Sequence, residues 1–395
     1  MGIPLGLLKR MRWLVGSDGM KIPLAQPDLT WLERKAVLDV LESNFLSLGP
    51  KLPEFERAMA QYIGVKHAIA VNSGTSGLHL IVRALGIGRN DEVITTPFSF
   101  IASANCVLME SARPVFVDID PESYNIDPDK VEAAITPRTK AILGVDVFGR
   151  CAEWDRICEI AQRRGLAVIE DSCEAIGAET FGKMAGSFGD AGCLAFYPNK
   201  QMTTGEGGMI LTNRDDVAAL CRSMRNQGRD EGQGWLEHAR LGFNYRLSDI
   251  HCALGLAQLS RIEEILAKRA AVADMYREQL GHFADLLLPM GPRQGRLSWF
   301  VYVVRLADRF TRADRNRILL ALRDNGIGCN SYFAPIHLQP FYVEQFGFKT
   351  GDFPVTEHIS DRTIALPFFT TMTSGQVAQV AACLTEVMAT TEAFR

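Results

Sequence analysis

From about residue 55 onward, short runs of consecutive apolar residues alternate with stretches in which apolar positions return every three or four residues. AIAV at 68–71, EVITT at 92–96, PVFVDI at 114–119, AILGVDV at 141–147, LAVIE at 166–170, GCLAF at 192–196 and GMILT at 208–212 have strand length. Between them, Leu78, Ile81, Val82 and Leu85 mark the apolar stripe of a helix beginning near Thr75, and helical patterns follow at about 128–135 and 153–164. A strand whose apolar run is nearly unbroken is covered on both faces. Strands and helices alternating in this way predict an α/β architecture, a mostly parallel central sheet with helices on both faces.

The pattern changes near Ser248. Residues 248–280 contain no proline and keep helical periodicity, which predicts one long helix with Ser248 as N-cap and Asp249 in its first turn. A strand at 297–306 (LSWFVYVVRL), a helix at about 312–325 and a C-terminal helix at about 374–388, N-capped by Thr373, are expected to follow. The expected organisation is a large α/β domain over 21–254 and a smaller α+β domain over 255–395. Residues 1–20 are expected to form an arm outside both.

The length of 395 residues suits two domains. Hydrophobic residues make up 47% and charged residues 22%, which excludes a wholly disordered chain. Lys and Arg number 42 against 46 Asp and Glu, and the net charge of −4 gives no reason to expect nucleic acid or an anionic membrane as partner. The nine cysteines are scattered, with no C-x-x-C and no histidine pair at zinc spacing, so reduced thiols in a cytoplasmic protein and no metal are expected. No run of eighteen apolar residues exists, so no membrane span is expected. At the N-terminus the apolar piece precedes Lys9, Arg10 and Arg12 and no long apolar core follows, unlike a secretory signal. Gly6 stands where a myristoylation signal needs a hydroxyl.

Several familiar chemistries lack their parts. GAETFGKM at 177–184 has P-loop spacing but puts Met184 where a hydroxyl should hold magnesium, and GQG at 232–234 lacks the third glycine of a dinucleotide fingerprint. No G-x-S-x-G and no H-E-x-x-H occurs.

Four pieces sit at predicted strand ends, where such sheets bind ligands. NSGTSG (72–77) leads a strand into a helix; Gly74 allows a close backbone approach, and Thr75 and Ser76 offer hydroxyls and N–H groups at a positive helix end. An ordinary capped strand–helix turn would look the same. IED (169–171) ends an apolar strand in two carboxylates, suited to a protonated ring nitrogen or simply to solvent. In AFYPNKQMTTGEGG (195–208), a proline bend presents Lys200 between two apolar strands. A lysine out of water has a lowered pKa and can form a Schiff base. PFSF (97–100) places Phe100 to cover a flat ring, or to pack in the core. A phosphate cradle, an aromatic lid, a carboxylate and a lysine, in this order, are what pyridoxal 5'-phosphate (PLP) requires.

With these motifs, FLSLGP (45–50), TTPFSFIASAN (95–105), VIEDSCEAIGA (168–178), GFNYRLSDIHCALGLAQL (242–259), YFAPIHLQPFY (332–342) and LPFFTTMT (366–373), the chain resembles the DegT/StrS family of nucleotide-sugar aminotransferases, PLP enzymes of fold type I. The resemblance runs from about residue 22 to the C-terminus. It implies that Lys200 is the Schiff-base lysine, that Asp171 faces the pyridine nitrogen and that Gly74 and Thr75 hold the phosphate. It also implies that Phe100 stacks on the ring and that Asn244 reaches the phosphate of a neighbouring subunit, so that the active unit is a homodimer with shared sites. The implied reaction moves an amino group from an amino acid, usually L-glutamate, to a nucleotide-linked keto-sugar in amino-sugar or polysaccharide biosynthesis. The small domain would close over the substrate, with Arg246, Tyr332 and His337 as candidate sugar or diphosphate contacts; a structural ion pair and a structural histidine are the plain readings of the first and last.

Three positions depart from the family pattern. Ala195 replaces a serine that binds phosphate, a contact that Ser172 or another hydroxyl would have to supply. Glu174 replaces Gln or His beside the cofactor's phenolic oxygen, where burial should raise its pKa. Asp146 replaces the histidine of V-H-x-[YF]-G. Two other readings share the motifs: a PLP-dependent sugar dehydratase that keeps the lysine, and a non-catalytic sensor on the same fold, which would need neither Lys200 nor Asp171.

Overall fold

The computed structural model describes residues 21–393 apart from 233, 235 and 293. The arm expected at 1–20 lies outside the described residues. The large sheet has seven strands, of which the first five in the chain are β1 (His67–Val71), β2 (Glu92–Thr95), β3 (Arg113–Phe116), β4 (Thr139–Val145) and β5 (Ala167–Asp171). A two-stranded ribbon, β6 (Glu179–Thr180) and β7 (Lys183–Met184), precedes the last two, β8 (Ala191–Ala195) and β9 (Gly208–Thr212). The order across the sheet is β1-β9-β8-β5-β4-β2-β3. β9 runs antiparallel to both neighbours, and the other pairings are parallel.

Alternation along the strands divides the core. Ile69 and Val71 of β1 face one side, with Leu78, Leu80 and Ile81 of the helix Gly74–Ala84. Ala68 and Ala70 face the other, with Phe55 and Met59 of the helix Lys51–Ile63. Farther along that second face, Ile142 and Val168 pack on Trp154 and Ile157 of the helix Trp154–Arg164. The fold is the expected α/β sheet sandwiched between helices.

A smaller antiparallel sheet contains β10 (Leu286–Leu287), β11 (Tyr302–Leu306) and β12 (Thr363–Leu366), with β11 in the middle. Its core is built with the helices Ile262–Leu280, Arg312–Asp324 and Ser374–Ala393, through Tyr276, Ile318 and Val380 among others.

Two expected elements differ. The helix predicted over 248–280 is two helices, Asp249–Ser260 and Ile262–Leu280, broken at Arg261 with φ −110° and ψ 9°. Arg261 is drawn to acids far away in the chain: Nη1 donates to Glu33 at 2.7 Å and Nη2 to Asp28 at 3.0 Å. The strand predicted over 297–306 pairs only from Tyr302. Before that point its carbonyls are occupied: Arg269 donates to those of Trp299 and Phe300, both at 2.6 Å. The expected boundary at 254/255 falls inside the helix Asp249–Ser260, and apolar side chains as far as Leu266 pack with the large sheet.

Candidate active site

A cavity of about 490 Å³ opens where β1, β5 and β8 end. It is lined by residues from all four motifs, Gly74, Thr75, Phe100, Asp171, Glu174 and Lys200. After β1, Ser73 caps the helix Gly74–Ala84, its Oγ accepting the N–H of Ser76 at 3.1 Å. Gly74 is confined from below: a Cβ there would lie 2.8 Å from the Ala195 Cβ and 2.9 Å from the Cys173 Sγ. The backbone at this helix end therefore forms the cavity wall itself, a surface suited to an anion.

Asp171 is the last residue of β5 and is buried. Its Oδ2 accepts from Ser103 Oγ at 2.7 Å, and its Oδ1 from the N–H of Cys173 at 3.2 Å. Ser99 Oγ lies 2.8 Å from Ser103 Oγ, and because the Ser103 proton goes to Asp171, Ser99 is the donor in that pair. The carboxylate is thus fixed by a short chain of hydroxyls rather than by a cation.

Lys200 follows β8 on a turn whose N–H bonds the carbonyl of Tyr197 at 2.9 Å. Its side chain is only 13% exposed, with Nζ 3.7 Å from Glu174 Oε1 and 4.0 Å from the ring centroid of Phe300. Glu174 is buried, and its Oε2 accepts the N–H of Phe148 at 3.0 Å. Burial pushes the Glu174 carboxyl above its ordinary value, with Lys200 pulling the other way. Tyr332 also lines the cavity, and burial, then the Glu174 charge, raises its hydroxyl. Phe100 stands at the mouth, 64% exposed.

The remaining expected residues are elsewhere. Asn244 is exposed, bridged to Asn226, and Arg246 donates to Asn226 Oδ1 at 3.1 Å; neither lines the cavity of its own chain. His337 does not reach the cavity either. It is fully buried, with Nε2 3.0 Å from Glu357 and its ring 4.7 Å from that of Phe353, because a carboxylate and an aromatic pair hold it inside. Ser172 cannot replace the hydroxyl lost at Ala195: it is fully buried and donates to Asp146 at 3.0 Å.

Sequence reasoning passed over three contributors. Asn199, one residue before the lysine, lines the cavity with a buried Oδ1 that has no hydrogen-bond partner among the described residues. Ser103 was legible only as one more residue after PFSF. Phe300 comes from the other sheet region, and no local signal marks it.

These parts fit PLP. The cavity has room for a small aromatic ring, and it presents an amine, a buried carboxylate and a helix end whose glycine admits no side chain.

Comparison with known proteins agrees with this geometry. The model of the DegT/DnrJ/EryC1/StrS aminotransferase family matches residues 27–385. The GDP-perosamine synthase of Caulobacter vibrioides is 41% identical over 374 residues, covering 94% of this chain and 100% of the synthase. PseC of Helicobacter pylori, an aminotransferase involved in the biosynthesis of pseudoaminic acid, superimposes with a TM-score of 0.88 at 30% identity, over 93% of this chain and 99% of PseC. A Streptococcus pneumoniae protein solved in its PLP form gives 0.89 at 26% identity, over 94% and 99% of the two chains. The chain therefore belongs to the DegT/DnrJ/EryC1/StrS aminotransferase family, and it is an enzyme of the PLP-dependent sugar aminotransferase type.

Proposed function

We propose that the protein transfers an amino group from L-glutamate to a nucleotide-linked keto-sugar, as a homodimer in the cytoplasm. The observation that carries this reading is the placement of the Lys200 amine, almost out of solvent, in one cavity with Asp171 and the glycine-walled helix end. PLP, when bound, supplies an aldehyde that takes up an amino group and a ring that accepts electrons.

Lys200 would hold the aldehyde and Asp171 the ring nitrogen. Gly74 and Thr75 would take the phosphate, Phe100 the ring face, and Asn244 of a second copy would complete the phosphate site. Glu174, its carboxyl raised by burial above the ordinary value, would lie beside the phenolic oxygen. When free, the Lys200 amine would take the proton from Cα of the donor as base and then, as acid, give it to the carbon that had carried the aldehyde. Phe300 and Tyr332 would keep water from that amine, and Tyr332 would contact the sugar nucleotide, with Arg246, which lies outside the cavity of its own chain, reaching it from a second copy. The 41% identity to a GDP-perosamine synthase supports a nucleotide-linked acceptor.

The test is a panel of nucleotide keto-sugars incubated with glutamate, with mass detection of the product. An aminated product and stoichiometric 2-oxoglutarate are expected from the wild type, and neither from Lys200→Ala. A deoxygenated product would identify a dehydratase, and full activity of Lys200→Ala would refute the role of the lysine.

A further inference from the structure

Phe300 reaches the catalytic lysine from a segment that carries no chemical motif. It stands just before β11, is buried, and presents its ring face to the Lys200 Nζ, 4.0 Å from the centroid. An aromatic face attracts an ammonium group, and more strongly away from water. Glu174 Oε1, at 3.7 Å from the same nitrogen, is beyond hydrogen-bond range and does not fix its direction.

Residues 298–300 are held from three sides. The Ser298 N–H donates to the carbonyl of Gly149 at 3.0 Å. Gln201, the neighbour of the lysine, donates from Nε2 to Ser298 Oγ at 2.8 Å and to the carbonyl of Glu174 at 2.6 Å. Arg269, from the helix Ile262–Leu280, supplies the third side: Nε donates to the carbonyl of Trp299 and Nη2 to that of Phe300, both at 2.6 Å. Its guanidinium also lies 5.0 Å from the ring centroid of Phe368. Arg269 is buried, and among the described residues no carboxylate bonds it. Burial pushes its guanidinium down to about 10, which leaves it charged at neutral pH. A buried cation without a counter-charge is costly. The donors of this one are directed at the two carbonyls that set the course of the chain through Phe300.

We propose that the Phe300 ring is the resting place of the Lys200 ammonium during the reaction, and that Arg269 is the positioning residue that holds this ring in place. The inference rests on the reading of Lys200 as base and then acid. Once it has taken the proton from Cα of the donor, Lys200 carries an ammonium on a flexible four-carbon stem, and it must stay in place until the proton is given up. The ring face attracts the ammonium and not the neutral amine, so it acts in that interval. Arg269 lies outside the cavity and acts only through the segment that it bonds.

The test has two arms. Full-length protein freed of PLP isolates the contact from the reaction: reductive methylation with formaldehyde and cyanoborohydride, followed by mass spectrometry, gives the rate at which Lys200 reacts, with exposed Lys349 as internal standard. Phe300→Leu and Arg269→Met should each raise that rate about tenfold, and Phe300→Tyr, which keeps the ring, should not. Trifluorophenylalanine at position 300 keeps the shape and weakens the attraction of the face, so it should raise the rate as well. In the second arm, with PLP and both substrates, Arg269→Met should lower kcat about tenfold with the KM for glutamate unchanged, and Arg269→Lys, which still donates to carbonyls, should recover most of the loss. Should Arg269→Met fail to fold, the three substitutions at 300 decide. A wild-type methylation rate in Phe300→Leu or with the fluorinated ring overturns the proposal, as does a folded Arg269→Met with wild-type kcat. A wild type without transferase activity whose variants still methylate in the expected order would refute the aminotransferase reading and uphold the contact.

Discussion

Asp146 and Glu170 are both fully buried, and their donors are backbone N–H groups, the Trp154 indole and the Ser172 hydroxyl, not cations. Two carboxyl groups in such a place are costly to ionise together. Burial pushes Asp146 up to about 6, and burial together with the Asp146 charge raises Glu170 well above the usual range. A raised carboxyl binds protons better in the folded state. Its stabilising contribution is complete below the ordinary value of 3.8 and is lost as pH rises through about 6. Asp146→Asn mimics the protonated form, so its stability relative to wild type, followed by Tm, should rise between about pH 4 and pH 7, by an amount on the order of 2–3 kcal/mol. A relative Tm that does not change with pH would refute the raised Asp146 carboxyl. Asp146 stands out in the sequence as a departure from a pattern and Glu170 as one of two carboxylates at a strand end, but their proximity does not, because Glu170 lies on the next strand. The same reason hides Phe300 from a reading of the Lys200 motif, whereas Lys200, Asp171 and Gly74 were legible because each ends or follows an apolar strand.

At the scale of elements, periodicity located the strands of the large sheet and some of the helices, passed over others such as Trp31–Leu41 and Lys51–Ile63, and missed what distant side chains do to them. The break at Arg261 and the unpaired segment before Tyr302 both arise from arginines bonding groups remote in sequence. The Ser248 cap was legible because a cap is local: its Oγ accepts the N–H of His251 at 3.4 Å. Asp249 beside it also has a long-range task that no local pattern announces. Its fully buried carboxylate accepts the N–H of Gly49 at 2.8 Å and of Lys51 at 2.9 Å, tying the start of the helix Lys51–Ile63 to the helix Asp249–Ser260. Asp249→Ala leaves both donors without that partner and should cost about 2–3 kcal/mol, read as a lowered denaturant midpoint with unchanged slope. Asp249→Asn, which keeps one acceptor oxygen, should lose less. An alanine variant as stable as wild type would show that water serves these donors equally well.

Across the whole molecule, many of the exposed apolar side chains fall in one stretch of the chain, residues 29–48. The helix Trp31–Leu41 buries Glu33 and Val40, while Trp31 and Leu38, seven residues apart on another face, are 63% and 54% exposed. Phe45, Leu46 and Leu48 continue the exposed series, and Phe100 and Tyr197 stand exposed at the catalytic cavity. A chain with this much uncovered aromatic and aliphatic surface should bury it against another copy. A C2 pairing would also bring Asn244, which lines no cavity of its own chain, toward the site of its partner. Full-length protein should therefore sediment at about twice the monomer mass. Trp31→Glu combined with Leu38→Glu should yield a folded monomer without transferase activity, since burying two carboxylates in an apolar interface costs several kcal/mol. A wild type that sediments as a monomer, or a monomeric double variant with full turnover, would show that each chain carries a complete site.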